Sequence, residues 1–119
     1  MGTDHLVASD EEARAVFDLL ALADPRVVER LADHIVEYGE VLPTVLLGDL
    51  AKLALVESAD DELLVCVNLL LIVGSPSVRN VLITGFVEGV PVGLDQTRVR
   101  SLPNPLRKEV QRDLGLAET

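Results

Sequence analysis

Leu63-Leu64-Val65-Cys66-Val67-Asn68-Leu69-Leu70-Leu71-Ile72-Val73, closed by Gly74-Ser75-Pro76, is the stretch on which the fold turns. Its eleven residues include one conventional polar side chain, Asn68. A buried strand competes with a helix here, because Val65, Val67, Ile72 and Val73 are β-branched. Length decides for the helix: strands usually hold about five or six residues, and Leu supplies five of these eleven. A helix that is apolar all round is expected to be a covered, central one in a soluble protein. Asp60, Asp61 and Glu62 stand at its start, where the helix dipole favours carboxylates, and Ser58 or Asp60 can cap it.

Gly74-Ser75-Pro76 then ends one helix and opens the next, with Ser75 as cap and Pro76 in the first turn. This second helix, over 76–88, carries Val78, Val81, Leu82, Gly85, Phe86 and Gly89 on one face. Gly85 on that face predicts close approach of another helix. A hairpin made of 81–84 and 86–88 is the competing reading. Two covered helices joined by a tight turn would form the centre of a small helical domain.

Working outward, Ser9 and Glu12 have capping-box spacing, and Ala13, Val16, Phe17 and Leu20 repeat at the helical interval, which predicts a helix over 10–22. Asp24-Pro25 reads as a cap and a first-turn proline, followed by the apolar stripe Val28, Leu31, Ala32 and Ile35, with a stop at Tyr38-Gly39. Pro43 opens a third helix with Leu46, Leu47, Leu50, Leu53 and Ala54 on its buried side and an end between 57 and 59. Gly48 within it costs about 1 kcal/mol relative to Ala, so a neighbouring backbone packed close against it is expected. Residues 90–101 show no helical stripe and read as a long connection pinned by Leu94 and Val99. Asn104-Pro105 starts a last helix with Leu106, Val110 and Leu114, ended by Gly115. The expectation is a flexible arm over 1–8 and one all-α domain over 9–119, built as a compact orthogonal or HEAT-like array of about six short helices.

The 119 residues suffice for one core, and with three aromatic residues that core must be aliphatic. The single cysteine, Cys66, allows no internal disulfide, and the opening residues do not read as a secretory leader. The apolar run is too short to span a membrane. These features predict a cytoplasmic protein. The net charge of −10 is unevenly placed: residues 1–62 hold fifteen carboxylates against four basic side chains, and residues 63–119 hold five against six. That balance disfavours direct nucleic-acid binding, which needs clustered Lys and Arg. It serves either solubility or a basic protein partner.

Candidates for chemistry are few. Two histidines, His5 and His34, show no ligand spacing, and neither a metal nor a cofactor motif is present. His34 reads as a boundary residue and Cys66 as a packed thiol. Asn68, an amide in an apolar helix, must find hydrogen bonds, either by tying its helix to a neighbouring backbone or by lining a polar pocket. If Gly48 and Gly85 mark a helix crossing, Asp49 and Glu88 would face one groove. Arg79 and Asn80, near Ser75 and Ser77, could receive an anion, although a solvated first turn explains them as well. Asp49, Asn68, Arg79, Asn80 and Glu88 are thus the candidate polar pocket.

Three segments, Leu42-Pro43-Thr44-Val45-Leu46-Leu47-Gly48-Asp49-Leu50-Ala51, Val78-Arg79-Asn80-Val81-Leu82-Ile83-Thr84-Gly85-Phe86-Val87-Glu88 and Pro105-Leu106-Arg107-Lys108-Glu109, carry a resemblance. Over about residues 28–112 the chain resembles a family of small, mostly uncharacterised all-helical bacterial domains that are themselves similar to those found near polymorphic-toxin immunity loci. Gly85 stands where that pattern more often has Ser, and the helix around Asn68 is more apolar. The resemblance implies binding and neutralisation of a protein partner, with Asp49, Asn80 and Glu88 as positions to test.

The leading reading is a non-enzymatic interaction module, immunity-like or inhibitory, whose acidic face takes a basic protein partner. Glu29, Asp33, Glu37 and Glu40, with Glu11 and Asp18, would form that face. The alternatives are a homodimeric structural or accessory subunit with an apolar patch on the helix over 76–88 or on the last helix, and an enzyme or small-molecule binder using Asp49 and Glu88.

Overall fold

The structure, a computed structural model, describes residues 10–57 and 61–116. The arm expected over 1–8, the cap at Ser9 and the cap at Ser58 or Asp60 lie outside the described residues. Within them the chain forms α1 (Asp10–Ala23), α2 (Arg26–Tyr38), α3 (Pro43–Lys52), α4 (Asp61–Val73), α5 (Pro76–Leu82), α6 (Gln96–Arg100) and α7 (Leu106–Asp113), with no strand. The long apolar run is helix, and the hairpin over 81–88 does not form.

Most helix ends follow from the local sequence. Asp24 is buried and its Oδ1 accepts the Arg26 N–H at 2.9 Å, while the Arg26 guanidinium closes on the same carboxylate. Gly39 stops α2 at φ 75°, a left-handed conformation that glycine adopts without a Cβ penalty. Ser75 caps α5 by accepting the Val78 N–H at 3.2 Å, with Pro76 in the first turn. One helix was not legible. Residues 96–100, read as loop, form a short turn because Asp95 Oδ1 accepts the Thr97 N–H at 2.8 Å and Val99 is buried beneath it.

α3 and α5 each run on into a widened π turn, Leu53–Glu57 and Ile83–Val87. In the second, the Glu88 N–H reaches back five residues to the Ile83 carbonyl at 3.0 Å. This turn packs against α3 at the expected glycine crossing. A Cβ on Gly89 would lie 2.6 Å from the Gly48 Cα, and one on Gly85 would lie 2.7 Å from the Leu47 Cβ. Gly48 itself has room, its nearest neighbour being the Gly85 carbonyl at 3.7 Å. The steric demand therefore falls on Gly85 and Gly89.

The core is aliphatic apart from Phe17 and Phe86, and centres on Leu20, Leu46, Leu47, Leu50, Leu63 and Leu82. Asn68 is buried at 8% exposure, and its Oδ1 accepts the Leu106 N–H at 2.9 Å. The amide thus ties α4 to the start of α7, the backbone role expected of it.

Two expectations about burial are overturned. The stripe Val28, Leu31, Ala32, Ile35 is not the buried face of α2: Val27 and His34 are buried, Leu31 is half-buried, and Val28, Ala32, Ile35 and Val36 are exposed. His34 is at 6% exposure, because its Nε2 accepts the Leu42 N–H at 2.9 Å and its ring packs on Tyr38. Nor is α4 covered all round. Val65, Leu69, Ile72 and Val73 are each at least half exposed. The apolar run is long enough to supply both a core face and a bare one.

Candidate functional site

α2 is the element that brings the predicted acidic residues into one place. At about 100° per residue, positions four apart climb one edge of a helix. Glu29, Asp33 and Glu37 do so, and all three are exposed. Next to this edge lies the exposed apolar set, Val28, Ala32, Ile35 and Val36, the last at 87% exposure. The outer half of α2 therefore presents an acidic strip and an aliphatic strip side by side.

A groove runs along each side of the helix. Between α2 and α3 it has a volume of about 640 Å³ and is lined by Asp33, Glu37, His34, Tyr38, Asp49 and Lys52, among others. Its charge is partly internal. Arg30 donates to Asp49 Oδ1 at 3.1 Å and to both Glu57 carboxylate oxygens at 3.1 Å. Glu57 is the main influence raising the Arg30 pKa, with burial opposing and Asp49 adding to it. This clamp joins α2 to α3 and to the π turn that follows, and it occupies Asp49.

The second groove, about 520 Å³, lies between α1 and α2. Phe17, Leu31, Ile35, Val41 and Pro43 make an apolar floor, and Asp10, Asp18 and Glu40 stand on its rim with Arg14. Of the six acidic residues predicted for partner contact, Asp18 and Glu40 line this groove and Asp33 and Glu37 line the other, while Glu29 and Glu11 are exposed on α2 and α1. Among the described residues none of the six forms an ion pair.

The candidate polar pocket does not assemble around a groove. Asp49 lines the α2–α3 groove, whereas Asn68 is committed to Leu106, and Arg79, Asn80 and Glu88 are exposed and line neither groove. Cys66 is half-buried, its Sγ–H directed at the Leu19 carbonyl at 3.7 Å, and burial pushes its thiol pKa up. Among the described residues no cluster of three His, Cys, Asp or Glu side chains could hold a metal ion.

Arg79 and Asn80, the candidates for receiving an anion near Ser75 and Ser77, are exposed, and the two serines hold a carboxylate of the same chain instead. Ser77 Oγ donates to Glu12 Oε2 at 2.8 Å and Ser75 Oγ to the same oxygen at 3.0 Å. Glu12 thereby fastens the start of α1 to the start of α5. Pairings across 63 and 65 residues leave no local sequence signal, and the same holds for the Arg30 clamp across 19 and 27.

No described helix is long and apolar enough to cross a membrane. Compared with known proteins, the chain matches no protein-family model, no curated protein and no solved structure.

Proposed function

We propose that this protein is a recognition module that binds a basic, amphipathic segment of another protein along α2. The observation that carries the reading is the pairing of strips on one helix: uncovered Val28, Ile35 and Val36 beside Glu29, Asp33 and Glu37, none of them ion-paired among the described residues. A partner helix with an aliphatic face and Lys or Arg along its margin would cover the first strip and neutralise the second. The apolar floor and acidic rim of the α1–α2 groove repeat that chemistry and extend the surface toward Asp18 and Glu40. Relief of the like-charge repulsion at i, i+4 would add to the attraction.

An inhibitory or immunity-like role in the cytoplasm is the use suggested by the family resemblance, and the lone cysteine suits that compartment. A catalytic role finds less support, because Asp49 is engaged by Arg30 and Glu88 lies outside both grooves.

The test is capture of partners from the native host followed by mass spectrometry. Wild-type protein is expected to retain a basic protein whose binding weakens as salt rises. Combined reversal of Glu29, Asp33 and Glu37 to Lys should abolish that capture. Capture unchanged by the reversal would show that the acidic strip is only a solvated face.

A further inference from the structure

The bare side of α4 continues onto α1. Glu12 near the start of α1 bonds Ser75 and Ser77 just beyond the end of α4, and the Cys66 thiol meets the Leu19 carbonyl midway, so the two helices lie antiparallel in contact. Along this pair α4 exposes Val65, Leu69, Ile72 and Val73, and α1 exposes Ala15, Leu19 and Leu22. Among the six larger side chains exposure ranges from 45% at Leu19 to 82% at Leu22.

The spacing is the same on both helices. Ala15, Leu19 and Leu22 follow steps of four and three, and so do Val65, Leu69 and Ile72. That is the spacing with which helices interlock in four-helix bundles. We infer that this α1–α4 face is the interface of a homodimer, in which the helix pair of one copy packs on the same pair of a second copy about a two-fold axis.

Charge selects a second copy as the occupant. The chain carries a net −10, yet none of these seven side chains is charged. Two copies meeting here bring together these aliphatic side chains and leave the carboxylates of α2 outside. Self-association through the apolar strip of α2 would instead set two rows of Glu29, Asp33 and Glu37 against each other. Glu11 and Glu62 are exposed at the ends of this face, four residues before Ala15 and three before Val65, and the seven aliphatic side chains beyond them carry no charge, which separates this surface from the continuous row of carboxylates on α2.

Area agrees. From their fractional exposures, the six large aliphatic side chains offer roughly 600 Å² per copy, so a symmetric pair would bury roughly 1,200 Å², the lower end of the range for stable specific interfaces. Apolar patches of this extent on a protein surface commonly mark interaction sites. The patch lies on α1 and α4, whereas α5 and α7, where the sequence reading looked for one, expose no large apolar side chain.

Sedimentation equilibrium of the full chain over a wide concentration range tests the inference, with Leu22→Lys and Leu69→Lys as variants. Both side chains are already exposed, and far-UV circular dichroism checks that each variant keeps its helices. Wild type is expected to dimerise, and each substitution to weaken the dimer by roughly tenfold or more. Val36→Lys, on the far strip of α2, should leave the dimer unchanged. Cys66, the only cysteine, provides a second reading: its alkylation should slow as protein concentration rises in wild type and not in Leu22→Lys. A wild-type monomer at high micromolar concentration overturns the proposal, and so does a dimer indifferent to both α1–α4 substitutions.

Discussion

At the scale of single residues, the three glycines at the α3 crossing make unequal demands: Gly48 and Gly85 sit on facing helical segments and Gly89 in the turn just after the second. Gly89 and Gly85 have backbone or core side-chain atoms within 3 Å of where a Cβ would sit, whereas Gly48 has only ordinary van der Waals neighbours. Gly89→Ala and Gly85→Ala should each destabilise the fold by about 1–3 kcal/mol through forced displacement of packed neighbours. Gly48→Ala should be neutral or stabilising by up to about 1 kcal/mol, because it gains helix propensity where there is space. Urea denaturation of the three variants checks this ordering. The crossing itself was legible in the sequence, since Gly48 and Gly85 both interrupt good apolar stripes. Which partner lacked room was not legible, because it depends on helix geometry at the level of tenths of an ångström. His34 shows the converse limit: its burial depends on the Leu42 N–H, eight residues away around a turn.

At the scale of elements, caps and stops were readable where the needed group is adjacent in sequence. Asp24, Gly39, Ser75 and Gly115 all sit at the helix ends where the local pattern placed them. The faces of α2 and α4 were not readable in the same way. Periodicity reveals that a helix has an apolar side, yet it does not say whether the same chain covers that side. α2 turns Val27 and His34 inward, so its most apolar stripe lies partly outside, and α4 has more apolar surface than its neighbours can cover. The α5 start offers a direct test of a contact between elements. Ser75→Ala removes both the cap on Val78 and one of the two hydroxyls held by Glu12, and should cost about 1 kcal/mol. Glu12→Ala should cost a similar or larger amount, since it leaves the buried Ser77 hydroxyl without that acceptor. If the contact operates as one unit, the double variant will lose less than the sum of the single losses.

At the scale of the whole molecule, the charge is divided much as the functions proposed for its surfaces are. The excess of carboxylates falls in residues 1–62, and the strip on α2 has no ion-paired member among the described residues. Repulsion within that half opposes folding and is screened by salt over about 8–10 Å at physiological ionic strength. The melting temperature should therefore rise by a few degrees between low and physiological salt, a shift measurable by calorimetry. In the Glu29, Asp33, Glu37 triple reversal the dependence should shrink, because the row then faces neighbouring carboxylates with opposite charge. Absence of any salt effect in wild type would show that the acidic half is too well solvated to strain the fold.

The widened turn at Ile83–Val87 has a consequence for the phase of the chain. A five-residue reach holds one residue more than the four-residue reach of an ordinary helix, and each residue is worth about 100° of rotation. Excising Thr84 would let the segment relax to a regular helix, and because the wide turn already absorbs the extra residue, Gly89 would stay opposite Gly48. The same one-codon deletion in the regular turns of α5 has no slack to consume and would rotate everything that follows by about 100°. The surplus residue is thus a local reserve of length, spent without disturbing the alignment of the chain beyond it.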